Sequence, residues 1–186
     1  MSDSRVSTSK KSANELEKYI HGMANRDKDS LVLFYESTRD DVYAYVLSVL
    51  KNPYDAEDVF QEVYIKVYEG AEKYQPSGKP MAWLIVIARN LCYAKFNKTH
   101  NDVDIEEVYD LSEFTDVNAD VENKMLVNTI MNDLNDEERD IIMMHAVLGL
   151  KHREISKILN LPLSTVLSKY NRTIKNIKAK FWEEMK

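Results

Sequence analysis

Residues 153–166 read Arg153-Glu154-Ile155-Ser156-Lys157-Ile158-Leu159-Asn160-Leu161-Pro162-Leu163-Ser164-Thr165-Val166. The apolar residues Ile155, Ile158 and Leu159 recur at helical spacing and share one face. Asn160-Leu161-Pro162 interrupts the pattern, because Asn tolerates a left-handed backbone and Pro favours the start of a new helix. A longer helix is expected from about Leu163 to Trp182, with Val166 and Tyr170 or Ile174 turned inward. Together these segments predict a helix-turn-helix. The outward face of its second helix presents Ser164, Thr165, Ser168, Lys169, Arg172 and Lys175. Hydroxyls and cations on one helical face can donate to phosphates and base edges in a major groove. Five cations between Lys169 and Lys180, with no acid among them, add sequence-independent attraction to phosphate. A plain helical hairpin with solvated charges would explain the periodicity but not the agreement of turn, spacing and charge.

Outward from this stretch, charge is strongly segregated. The 186 residues carry a net charge of −6, which by itself argues against nucleic acid. Residues 151–186, however, hold nine Lys or Arg against three acids, leaving +6. Residues 101–123 hold nine acids and no Lys or Arg. A second basic stretch, Lys73 to Asn101, carries Lys73, Lys79, Arg89, Lys95 and Lys98 with no acid. Two basic segments separated by an acidic one predict two nucleic-acid-facing units joined by an acidic linker.

Helical periodicity dominates the rest, and four Gly and four Pro are too few for a chain of β-turns. Leu16, Tyr19, Ile20 and Met23 form one stripe, and Val42, Tyr45, Val46 and Val49 another. Asn52-Pro53-Tyr54-Asp55 reads as a capped helix start, followed by the stripe Val59, Val63 and Val67. Away from that stripe, Asp58, Gln61 and Glu62 fall at i, i+3 and i+4 and share a second face, suited to a basic partner helix. Acids in the first turn also complement the helix N-terminus, but that leaves Gln61 and Glu62 unexplained. Gln75 to Pro80 is a loop by its Pro and Gly content, and a helix from about Met81 to Lys98 follows, buried through Ala88. Between Lys73 and Lys98, cations mix with Tyr74, Trp83, Tyr93 and Phe96, a combination that can hold single-stranded DNA by stacking and phosphate contact. Tyr74, Lys79, Arg89, Asn90 and Lys95 are the residues expected to do so, whereas Trp83 reads better as core. The fold class is therefore all-α: a disordered tail at 1–12, a helical domain at 13–98, an acidic flexible linker at 99–117 and a helix-turn-helix domain at 118–186.

These motifs resemble those of bacterial sigma factors. Leu134 to Lys178 is similar to the fourth conserved region of that family, which binds the −35 promoter element. Asp55-Ala56-Glu57-Asp58-Val59-Phe60-Gln61-Glu62-Val63-Tyr64-Ile65-Lys66-Val67-Tyr68 resembles the second region, which in the family docks on the clamp helices of the polymerase's largest subunit. Trp83 to Asn90 resembles the helix that follows and helps read the −10 element. The absence of a third domain marks the extracytoplasmic-function (ECF) group. The resemblance implies that Asp58, Gln61 and Glu62 bind core RNA polymerase, and that the loop at Tyr74 to Pro80 receives a base during promoter opening. It also implies that the acidic linker threads the polymerase's basic channel and that an anti-sigma factor is a partner. The chain departs from the family at Ala94, Asn97, Lys151, Ser164, Leu167 and Lys169, which implies an unusual promoter sequence.

Other classes find no support in the residues. The four His show neither HExxH nor Glu-x-x-His, and there is neither GxGxxG nor a Walker loop. No metal, cofactor or catalytic residue is expected, and the chain is not expected to be an enzyme. Cys92, the single cysteine, excludes an intrachain disulfide and reads as a buried small hydrophobe. The polar start, Met1 to Ser12, has no signal-peptide pattern, and the longest apolar run, Trp83 to Ala88, is too short to span a bilayer. Cytoplasmic location without membrane insertion is the expectation. A stand-alone helix-turn-helix regulator remains the alternative; it would account for residues 134–180 alone.

Overall fold

The computed structural model describes residues 11–100, 131 and 133–184. Most of the acidic linker, and all but the last two residues of the tail, lie outside them. Among the described residues all regular structure is helical. The first unit comprises α1 (Ala13–Ala24), α2 (Lys28–Leu50), α3 (Pro53–Gly70), a 3₁₀ turn (Ala71–Lys73) and α4 (Pro80–His100). Each start has a local cause. Ser12 closes a capping box with Glu15, so α1 begins there. Asp27 accepts the Asp29 N–H at 3.1 Å and the Ser30 hydroxyl at 2.5 Å. Asn52 accepts the Tyr54 and Asp55 N–H groups at 2.9 and 3.2 Å, and Pro53 occupies the first turn as the sequence predicts. The α1–α2 corner needs a glycine, because a Cβ on Gly22 would sit 2.0 Å from Ser30 Oγ.

The predicted stripes make the core, except that Tyr19 and Val49 are only partly buried against it. Leu16, Ile20 and Met23 of α1, Val42, Tyr45 and Val46 of α2, and Val59, Val63 and Val67 of α3 are all buried. α4 contributes Leu84, Ile85, Ala88 and Cys92, but Val86 is exposed and Trp83 half-buried, so its first half is not sheathed all round. Burial pushes the Cys92 thiol up to about 12, which makes it inert as a nucleophile.

The second unit comprises α5 (Asp136–Ile142), a π turn (Met143–Val147), α6 (His152–Leu159) and α7 (Leu163–Glu184). Asn135 caps α5 by accepting the Glu138 N–H at 3.0 Å. α5 does not run on as a regular helix to Gly149 but widens into the π turn, where the Leu148 N–H reaches back five residues to the Met143 carbonyl at 3.0 Å. Gly149, at φ 72°, then turns the chain. The helix-turn-helix boundaries match the sequence reading. Asn160 is left-handed at φ 52°, and Ser156 Oγ donates to the Leu161 carbonyl at 2.6 Å to close the turn. Ile155 and Val166 are fully buried between the two helices. Thr173 is buried too, a position the apolar pattern could not reveal.

The two units share one continuous hydrophobic core. α5 and the π turn pack on α2, and α6 packs on α4.

Candidate nucleic-acid interface

On α7, Ser164, Ser168, Arg172 and Lys175 are exposed, while Thr165 and Lys169 are partly covered. Ser164, Ser168, Arg172 and Lys175 lie on the side away from Val166, whereas Thr165 and Lys169 flank it, as the helical period requires. Two of the cations are engaged at home: Lys169 pairs with Glu137 at 2.9 Å and Arg172 with Glu138 at 3.0 Å. Both acids belong to the first turn of α5. Any DNA contact by Lys169 or Arg172 therefore exchanges one anionic partner for another.

At the base of the same helix, three rings pack together. His145 from the π turn lies 4.0 Å from His152 at the start of α6, and Tyr170 of α7 meets both edge-on at 4.8 Å. His145 Nδ1 is 2.8 Å from the Leu150 carbonyl. Burial first, and the neighbouring His145 second, hold the His152 imidazole below its ordinary pKa. Lys151 cannot supply the usual side-chain cap for α6, but Glu154 accepts the Lys151 N–H at 2.9 Å and completes half of a capping box.

The five residues of the first unit expected to meet DNA are divided among three places. Tyr74 and Asn90 both lie near Trp83. The Tyr74 ring lies 4.9 Å from Trp83, and Asn90 lines a cleft of about 400 Å³ with Trp83, Ile87, Lys66 and Lys73. Lys79 and Arg89 face the helix-turn-helix unit: Lys79 pairs with Glu154 at 3.5 Å and Arg89 with Asp140 at 3.1 Å. Lys95 bridges back to α3, at 2.9 Å from Asp55 and 3.3 Å from Asp58. Those carboxylates raise its pKa, hydrogen bonding to Asp55 first. Lys66, which the sequence reading did not single out, joins the cleft because α3 and α4 lie side by side.

Asp140 is the hub of the contact between the units. It is 2 % exposed and accepts from Tyr45 at 2.9 Å, Arg89 at 3.1 Å and Tyr93 at 3.3 Å. Burial lifts its carboxyl above the ordinary range, and the three donors oppose that lift. Nothing in the sequence singled Asp140 out, since its partners are 47 to 95 residues away.

Asp58, Gln61 and Glu62 are all exposed on α3, on one face as predicted. One helical turn further on, Ile65 is 56 % exposed and borders an apolar groove of about 510 Å³ that also takes in Val32, Tyr35 and Tyr68. A polar face continued by an apolar groove is the composition of a protein-docking surface. The sequence reading missed Val32 and Ile65, because single apolar residues outside a stripe carry no periodic signal.

Comparison with known proteins agrees with this geometry. Residues 34–101 match Sigma-70 region 2, and residues 124–177 match Sigma-70, region 4. The chain belongs to the sigma-70 family of RNA polymerase sigma factors. Within it, the similarity is to the ECF group. The chain is 28 % identical over 172 residues to the ECF RNA polymerase sigma factor SigK of Mycobacterium sp. (strain KMS), covering 88 % of this chain and 89 % of that one. It is 27 % identical over 171 residues to the ECF RNA polymerase sigma factor SigW of Bacillus subtilis (strain 168), covering 84 % and 91 %. Two solved structures share the fold. The sigma factor RpoE of Bartonella quintana, in complex with the anti-sigma factor NepR, gives a TM-score of 0.68 at 20 % identity over 82 % of this chain and 94 % of that one. CnrH, in complex with the cytosolic domain of CnrY, gives 0.66 at 14 % identity over 90 % and 97 %. No helix among the described residues is long and apolar enough to cross a membrane.

Proposed function

We propose that the chain carries RNA polymerase to promoters through three sets of residues, two of which meet where Lys95 pairs with Asp58. Asp58, Gln61 and Glu62, continued by Ile65 and Val32, dock on the core enzyme. Tyr74, Lys79, Arg89, Asn90 and Lys95 hold the −10 strand, with the loop at 74–80 taking a base out of the stack. Ser164, Thr165, Ser168, Lys169, Arg172 and Lys175 enter the major groove at −35. The observation that carries the reading is the presence, in one chain, of a helix-turn-helix face and a second basic, aromatic cleft beside an exposed acidic docking face. A stand-alone regulator needs only the first. The chain works in the cytoplasm beside the polymerase and catalyses no reaction of its own.

The two DNA-reading units must part for this work. Elements named −10 and −35 are about 25 base pairs apart, or roughly 85 Å of duplex at 3.4 Å per pair. In the structure Lys79 and Glu154, one from each unit, are 3.5 Å apart. Residues 101–130 supply the connection, because a fully extended stretch of that length reaches up to roughly 100 Å. The closed arrangement suits a resting state, and an anti-sigma factor that grips both units would hold it. Co-elution of the full chain with core polymerase from the same source tests the reading. A stable complex supports it, whereas specific duplex binding with no affinity for core enzyme would turn the assignment to a stand-alone regulator.

A further inference from the structure

The loop assigned to base capture, 74–80, is tied down by a residue far from it in sequence. Glu17 projects from α1, and one of its carboxylate oxygens, Oε1, accepts three hydrogen bonds from the loop. Tyr74 Oη donates at 2.9 Å, the Ser77 N–H at 3.0 Å and the Gly78 N–H at 2.7 Å. Those hydrogen bonds, the Gly78 one foremost, hold the Glu17 carboxyl below its ordinary pKa, which favours the anion that the loop is folded around. Gly78 adopts φ 69°, and the successive N–H groups of Ser77 and Gly78 form a concavity of the kind that holds an anion. Gln75 to Lys79 are otherwise exposed, and burial does not hold them in place.

We propose that Glu17 is a positioning residue for promoter opening: it preforms the 74–80 loop and sets Tyr74 against Trp83 before DNA arrives. The proposal rests on the reading of that loop as the −10 base pocket. A loop of this length loses conformational freedom when it orders, and a loop already ordered in the free protein does not incur that loss on binding. Glu17 also fixes which atoms meet the strand. With its hydroxyl given to Glu17, Tyr74 is fixed against Trp83, and Lys79 at the loop's end becomes the cation for phosphate once the units part and its pairing with Glu154 is broken.

The sign of the effect discriminates. If Glu17 positions the loop, its loss weakens strand binding. If it merely fills an anion site that a DNA phosphate should occupy, its loss strengthens binding. The measurement is the affinity of the holoenzyme, core polymerase plus full chain, for a labelled single-stranded oligonucleotide. That oligonucleotide carries the non-template −10 strand of a promoter the holoenzyme transcribes. Glu17→Ala is expected to bind it roughly tenfold more weakly, the scale of one lost charge-assisted hydrogen bond. Glu17→Gln, whose amide oxygen can still accept from the loop, is expected to restore most of the affinity. Core binding and binding of a duplex −35 fragment should be unchanged in both, which a general loss of folding would not permit. Wild-type or tighter strand binding by Glu17→Ala, alongside weakened binding by Tyr74→Ala, would overturn the role of Glu17 while leaving the loop reading in place. Wild-type strand binding by Tyr74→Ala would remove the loop reading, and the proposal with it.

Discussion

Tyr45 and Asp140 show how much one contact carries at the scale of a residue. Tyr45 is fully buried, and its hydroxyl has Asp140 as its acceptor, so removing the carboxylate strands a buried donor. Asp140→Ala should lower the stability of the full chain by about 1–3 kcal/mol in urea unfolding. Asp140→Asn should cost less, because it keeps an acceptor for Tyr45 and removes a charge that burial disfavours. Equal losses in the two variants would mean that the charge, and not the hydrogen bond, holds the contact. On α3 the stakes are opposite in kind. Gln61 and Glu62 are exposed, so Gln61→Ala combined with Glu62→Ala should leave helical content and melting unchanged while weakening core polymerase binding at least tenfold. Unchanged affinity by fluorescence titration would move the docking surface elsewhere.

At the scale of elements, α6 and α7 carry the promoter-reading claim and also a pH dependence. The folded His152 imidazole has a depressed pKa, so the unfolded chain binds more protons as pH falls. Stability from this site is complete above the ordinary value of 6.5 and is lost as pH falls from there through the lower folded-state value. The melting temperature of the full chain should therefore drop between pH 7.5 and pH 5.5, and His152→Gln should flatten that drop; an identical slope in the variant would contradict it. Lys169→Ala and Arg172→Ala should each weaken promoter-directed transcription. A base contact would cost ~1–3 kcal/mol at one position, whereas a phosphate contact would weaken all sequences alike. Full activity in both variants would remove α7 from the groove. Much of this was legible beforehand: the turn at Asn160 to Pro162, the cap at Asn52 and the valine stripe of α3 all follow from local rules. The π turn was not, because the apolar pattern of residues 141–148 fits an α-helix equally well. Glu17, Asp140 and the exposed Ile65 were not legible either, since their significance comes from partners that only the packed fold brings near.

For the whole molecule, the charge map and the closed arrangement lead to the same behaviour by different routes. The sequence suggests that acids at 101–123 compete with DNA for the basic helix; those residues lie outside the described ones. Among the described residues the competitors include Asp133, Glu137 and Glu138 on cations of α7, Glu154 on Lys79 of the loop, Asp140 on Arg89, and Asp55 and Asp58 on Lys95. Asp140→Ala should thus enlarge the radius of gyration of the free chain in X-ray scattering and improve its binding to duplex DNA at low salt. An unchanged radius would mean that the shared apolar core alone keeps the units together. The central claim is that this chain confers promoter choice on a polymerase that lacks it. Its most direct test is transcription reconstituted from purified core enzyme, the full chain and a genomic promoter library from the same source. The expected result is a set of transcripts with common −10 and −35 sequences that appears only when chain and core are both present, and that is lost with Gln61→Ala and Glu62→Ala together. Transcript start sites that are the same with and without the chain would contradict the account.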